Sequence, residues 1–119
     1  MLYAILFYHI GNIYYVCINI VLLRIIAKRT LREFWELNPD SKQQLLAWYR
    51  EAGKANWNNP NEIKQQYAKA SILKNNRVVF DILGNQYRLV VEINYKRKWV
   101  FIRFIGTHKQ YDKIDVNTI

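Results

Sequence analysis

Cysteine is almost absent. Cys17 is the only one in 119 residues, so an internal disulfide is impossible and a cysteine-built zinc site is excluded. Nothing points to a secreted, disulfide-stapled scaffold. Acidic residues are scarce: Asp and Glu total 9 against 18 Lys and Arg, a formal net charge of +9. On a chain this short, that excess points to a polyanionic partner, either nucleic acid or an acidic membrane surface. Also lacking are a glycine-rich phosphate loop, a cluster of metal ligands, a Ser-His-Asp arrangement, internal repeats and low-complexity stretches. The length suits one domain with a modest core.

Charge is missing altogether from residues 1–23, of which 19 are apolar, and every charged side chain lies in residues 24–119. The expected organisation is therefore an apolar leader, 1–23, and a basic globular domain, 24–119. The leader is long enough to span a bilayer, and Arg24, Lys28 and Arg29 would then place the domain on the cytoplasmic side. It has no basic start and no small-residue cleavage site, so it is a poor signal peptide. His9, Gly11, Asn12 and Asn19 interrupt it as a span. The readings are an over-long gene start with the working protein beginning near Leu23, which is favoured, a membrane anchor, or an added structural element.

Within the domain, residues 23–28 read as a short strand. Thr30 and Glu33 have the spacing of a capping box, and the helix they open ends before Pro39. Asp40 or Ser41 caps a second helix whose Leu45, Trp48, Tyr49 and Ala52 form one apolar stripe, with Gly53 at its end. Pro60 opens a short third helix. Residues 64–74 read as a basic connection. The period then changes from 3.6 to 2, and residues 77–83, 86–95 and 98–105 read as strands joined by turns at Gly84-Asn85 and residues 96–98. Helices followed by strands indicate α+β: an N-terminal strand and two to three helices packed on one face of a C-terminal antiparallel sheet. The tail after Gly106 reads as a turn and a short helical piece.

Alternation puts Val78, Phe80 and Ile82, then Leu89, Val91 and Ile93, on one side. Arg77, Asp81, Arg88 and Glu92 fall on the other. Arg103 shares a side with Trp99 and Phe101. A face bearing Arg77, Arg88 and Arg103 suits phosphate, whose oxygens guanidinium forks bind in pairs. The alternative is surface ion pairs, Arg77 with Asp81 and Arg88 with Glu92. His108, the only histidine of the domain, exchanges a proton near neutral pH, with Lys109, Tyr111 and Asp112 beside it. Such a set, without clustered carboxylates, suits metal-independent RNA cleavage; its alternative is a histidine capping the last helix. Lys64, Lys69 and Lys74, with Tyr67 among them, either track an RNA backbone or form a solvated face. Trp35, Trp48, Trp57 and Trp99 are assigned to the core rather than to base stacking.

These residues also carry a family pattern. The strings Gly84-Asn85-Gln86-Tyr87-Arg88-Leu89-Val90-Val91 and Thr107-His108 with Tyr111-Asp112 carry its most specific parts. Ala47-Trp48-Tyr49-Arg50 and the block from Ser71 to Phe80 add to them. Residues 23–119 resemble HigB-type toxins of the RelE-like superfamily, ribosome-dependent mRNA endonucleases. The resemblance implies a microbial-RNase-like α+β fold, cleavage of mRNA on the ribosome in the cytoplasm, and a HigA-type antitoxin partner. No metal or cofactor is expected. It places catalysis on His108, Tyr111, Arg88 and Lys74, and RNA binding on Arg77, Arg103, Lys109, Lys69 and Lys64. Family members usually begin near Leu23.

Overall fold

The computed structural model describes residues 2–4, 7–10, 13–16 and 20–119, those up to residue 22 by their backbone alone. In that leading part β1 (Leu2–Ala4) pairs with β4 (Ile20–Leu22) and β2 (Phe7–Ile10) with β3 (Ile13–Val16), both antiparallel. The expectations for the 1–23 leader fall on side chains and residues outside the described ones. Among the described residues no helix is long and apolar enough to cross a membrane.

The domain follows as β5 (Arg24–Ile26), α1 (Lys28–Leu37), a 3-10 turn (Pro39–Ser41), α2 (Lys42–Lys54), α3 (Pro60–Gln66), β6 (Ser71–Ile72), β7 (Arg77–Ile82), β8 (Tyr87–Asn94), β9 (Trp99–Thr107) and α4 (His108–Tyr111). It is α+β. The strands form one sheet in the order β5-β9-β8-β7-β6. The last three long strands are an antiparallel meander, while β5 joins β9 in parallel, so the sheet is mixed.

Helix α1 opens one turn earlier than expected. Ala27 is its N-cap and no side chain caps it; Thr30 donates its backbone N–H to the Ala27 carbonyl, and Glu33 pairs with Arg29 instead. In α2, Ser41 likewise caps through no side chain and donates its hydroxyl to the Asn38 carbonyl, and the helix runs past Gly53 to Lys54. The third helix is capped as its sequence suggests: Pro60 sits in the first turn, and Asn59 accepts from the Glu62 N–H. Strand β6 falls in the segment read as a connection. The turn after it places Asn75 and Asn76 at φ 57° and 60°, the left-handed region that asparagine tolerates best after glycine, and closes with Arg77 N–H on the Lys74 carbonyl.

One face of the sheet meets the helices. Val78, Phe80, Ile82, Leu89, Val91, Ile93 and Val100 are buried there with Leu31, Trp35, Leu45, Trp48, Ala52 and Ile63. Phe80 is the hub, with the rings of Trp48, Trp57 and Tyr67 at 5.4, 6.1 and 5.1 Å. Burying aromatics of this size supplies much of a small core. Lys98 is buried as well, and its ammonium donates to the Trp57 carbonyl and the Asn58 side chain. The opposite face carries the charge. A bulge there leaves Arg103 without a register partner on β8: Val90 faces Phe104 while Val91 faces Ile102.

Candidate functional site

The outer face is built by strand register. Arg77 lies opposite Glu92, and Asp81 opposite Arg88. Residues four apart on a strand are about 13 Å from each other, whereas register partners are about 5 Å apart. The ion pairs are accordingly cross-strand: Arg77 with Glu92 at 3.0 Å and Arg88 with Asp81 at 3.3 Å. The ion pairs offered as the alternative reading therefore exist, with their partners exchanged: Arg77 takes Glu92 rather than Asp81, and Arg88 takes Asp81 rather than Glu92. Glu92 serves two arginines, since Arg103 reaches its other carboxylate oxygen at 2.6 Å. The arginines share one face, and each already has a carboxylate. A phosphate there competes with Glu92 and Asp81 for the guanidinium groups.

Arg77 is the most committed of the three. It is 8% exposed and also donates to the backbone oxygens of Asn75 and Ile119, which places Ile119 against this face. Asn75 donates to the Asn117 carbonyl beside it. Val79 and Val90, register partners on the same face, are buried although they lie outside the main core.

At the other end of the meander a corner forms. Arg88 lies opposite Gly106, and Tyr87 opposite Thr107. His108 starts α4 and donates its backbone N–H to the Gln86 carbonyl, which ties the helix to the β7–β8 turn. The helix opens there because Thr107 and Gln110 form a capping box: the Thr107 hydroxyl accepts from Gln110 N–H, and the Gln110 amide oxygen accepts from Thr107 N–H. The imidazole is half exposed, with its Nδ1 3.8 Å from Asp112. Tyr111 packs toward Phe104 at 6.5 Å between ring centres. Arg88 is held by Asn85 and Asp81. Arg88, His108, Tyr111 and Lys109 therefore lie at the same end of the β8–β9 ladder.

Lys74 does not join them. It sits at the turn before Arg77, and β7 separates the two ends by about 17 Å at ~3.3 Å per residue. Lys64 points its ammonium at the Ala68 and Ala70 carbonyls, 2.6 and 2.8 Å away, which closes the chain after α3. Lys69 lines a groove of about 700 Å³ on the helix side, with Gln44, Trp48, Glu51 and Phe80. The three lysines do not form one track. Trp35, Trp48 and Trp57 are core residues, but Trp99 is not. It lies on the outer face, half buried against Phe101, with the Arg97 guanidinium 5.3 Å from its ring centre. Its alternation with Phe101 and Arg103 was the signal for that placement. Sequence reasoning missed Gly106 and Gln110, whose contact is visible only once α4 folds back on β9.

This is a small basic α+β domain with one helix-covered sheet face and one open cationic face that ends in a histidine corner. The family it falls in is the HigB toxins, described as the RelE-like toxic component of a toxin-antitoxin system, whose pattern matches residues 41–114. That span holds the meander and α4, and the chain belongs to this family. It is 28% identical over 94 residues to the mRNA interferase HigB of Escherichia coli O6:H1, covering 77% of this chain and 91% of that protein. It is 26% identical over 92 residues to the mRNA interferase HigB proteins of Escherichia coli O157:H7 and Shigella flexneri, covering 76% of this chain and 88% of each.

Proposed function

We propose that this chain is an mRNA interferase, the toxin of a toxin–antitoxin pair, acting in the cytoplasm on ribosome-bound mRNA. The observation that carries the reading is the family match over residues 41–114, a span in which His108, Tyr111 and Arg88 lie at the same end of the β8–β9 ladder. In the proposed reaction the His108 imidazole takes the proton of a ribose 2′-hydroxyl. The 2′-oxygen attacks the adjacent phosphorus, and the bond to the 5′-oxygen breaks. Arg88, held in place by Asp81 and Asn85, stabilises the extra negative charge on the phosphorane oxygens. Tyr111 gives a proton to the leaving 5′-oxygen. The products are a 2′,3′-cyclic phosphate and a 5′-hydroxyl end, and no metal enters the scheme.

Arg103 and Lys109 hold flanking phosphates. Arg77 acts through Glu92, which it fixes on the face. Lys74 contacts phosphates at the far end of the meander. Lys69 and Lys64, on the helix side, belong to docking on ribosomal RNA or to the HigA-type antitoxin rather than to the cleft. The test is cleavage mapping in a translation extract, with and without ribosomes, for the full chain and for His108→Ala. Cuts made only by the unmutated chain and only with ribosomes are expected. Salt-sensitive RNA binding without scission would replace the reading with a non-catalytic binding module.

A further inference from the structure

At the end of the outer face away from His108 there is a second hollow, of about 350 Å³, lined by Asn76, Glu92, Asn94, Tyr95, Lys96 and Phe101. This is near the lower limit of small-ligand sites, roughly 300–1,000 Å³. Its composition is unlike the rest of the face. Phe101 is an apolar wall, half buried and stiffened by the Arg103 guanidinium 5.0 Å from its ring centre. Asn76, from the turn before β7, and Asn94, at the end of β8, both line the hollow. Asn76 is fixed by its backbone: it sits at φ 60°, and its carbonyl accepts from Ile93 N–H. Asn94 is fixed by its side chain, whose oxygen accepts from Arg97 N–H at 3.0 Å. That bond leaves the Asn94 amide NH2 as a donor for a ligand. Lys96 adds a cation at the rim.

We propose that this hollow is a nucleobase pocket that sets the sequence preference of the RNA bound across the face. The proposal rests on the RNA reading above and deepens it. A flat apolar wall takes the face of an unpaired base, and carboxamides pair with its donor and acceptor edge. The rim cations Lys96, Arg97 and Arg103 take the phosphates on either side. Glu92, neutralised by two arginines, is the remaining acceptor. From Phe101 to Thr107 the strand runs for about 20 Å at ~3.3 Å per residue. The base read is therefore several nucleotides from the bond cut at His108, within the site sizes of about 4–16 nucleotides typical of single-strand binders.

The test is binding of the full chain to four labelled single-stranded tetranucleotides, oligo-A, -C, -G and -U, by fluorescence anisotropy. Asn94→Asp keeps the oxygen that holds Arg97 and removes only the NH2; Asn76→Asp tolerates the same left-handed backbone. Asn61→Asp, on α3, is the control for one added negative charge. The wild-type chain is expected to prefer one base by about fivefold or more, the discrimination of one well-made base-edge contact. Asn94→Asp and Asn76→Asp are expected to collapse or re-order that preference, while Asn61→Asp lowers all four affinities in parallel. Equal affinity for the four in the wild type, or an unchanged preference in both pocket variants, overturns the proposal. Because binding is read without cleavage, a base preference in a chain that cuts nothing sinks the interferase reading and leaves the pocket standing.

Discussion

Gly106→Ala is the sharpest perturbation of the His108 corner, because the structure leaves no room for one methyl group. A Cβ at that position would lie 2.6 Å from Cζ and 3.2 Å from Cε1 of Phe104, and 2.6 Å from the Gln110 amide oxygen. Gln110 is not free to yield without cost, since that oxygen accepts the Thr107 N–H at 2.9 Å and starts α4. Overpacking of this kind costs about 1–3 kcal/mol, and loss of half a capping box about 1 kcal/mol. The two relieve one another, because moving either neighbour eases the clash with the other, so the expected loss is about 2 kcal/mol. At urea slopes of roughly 1–3 kcal/mol per molar, the unfolding midpoint falls by about 1 M. The control is the same substitution in a Phe104→Leu background, where neither ring atom exists. There the Gln110 contact alone remains, and the cost is expected to drop to about 1 kcal/mol, a coupling that a double-mutant cycle reads directly. An equal cost in both backgrounds, or a single-variant loss under about 0.5 kcal/mol, refutes the contact as the cause.

Glu92→Gln removes the charge shared by Arg77 and Arg103; stability should fall by about 1–2 kcal/mol, discounted from the buried-pair range because the carboxylate is partly exposed, while affinity for single-stranded RNA rises, as anisotropy titration would show. Leu45→Ala deletes a fully buried side chain of α2 and is expected to cost about 2–5 kcal/mol in urea unfolding. Glu62 accepts from the Asn58 backbone and side chain, which lowers its pKa. Its contribution is present above the ordinary glutamate value of about 4.3 and is lost as pH falls through the lowered one, so Glu62→Gln should flatten the acid limb of a stability–pH curve. Burial, with the Glu51 carboxylate beside it, raises the Tyr67 pKa. The stability it confers is full below the ordinary tyrosine value of about 10 and is lost as pH rises above it; a Tyr67→Phe variant whose alkaline midpoint fell as steeply as the wild type's would refute this.

Much of the domain is written in local patterns. The 2-residue alternation of Val78, Phe80 and Ile82, and of Leu89, Val91 and Ile93, identified the core face because side chains on a strand point to alternate sides. The stripe Leu45, Trp48 and Ala52 identified the buried side of α2. Pro60 placed the start of α3, and Thr107-His108 with Tyr111-Asp112 placed the chain in its family. The capping box at Thr30 failed because α1 starts at Lys28, where β5 turns off the sheet; a motif four residues long does not outweigh that junction. Strand β6 was missed because two residues carry no period, and only pairing with β7 defines them.

The site divides along the same line. Which residues carry charge, a titratable imidazole or a flat ring is a property of the chain, and so is the face of the strand on which each arginine stands. Their partners are not. Register decided that Arg77 meets Glu92 and Arg88 meets Asp81, since cross-strand neighbours are far closer than residues four apart on one strand. The fold-back of α4 decided that Gly106 has no space for a side chain and that His108 sits by the β7–β8 turn. The length of β7 decided that Lys74 stands apart from His108. The order of residues determines what each side chain can do, and long-range pairing alone determines what stands next to it, because the distances that set hydrogen bonds and ion pairs are closed by contacts between segments far apart in the chain.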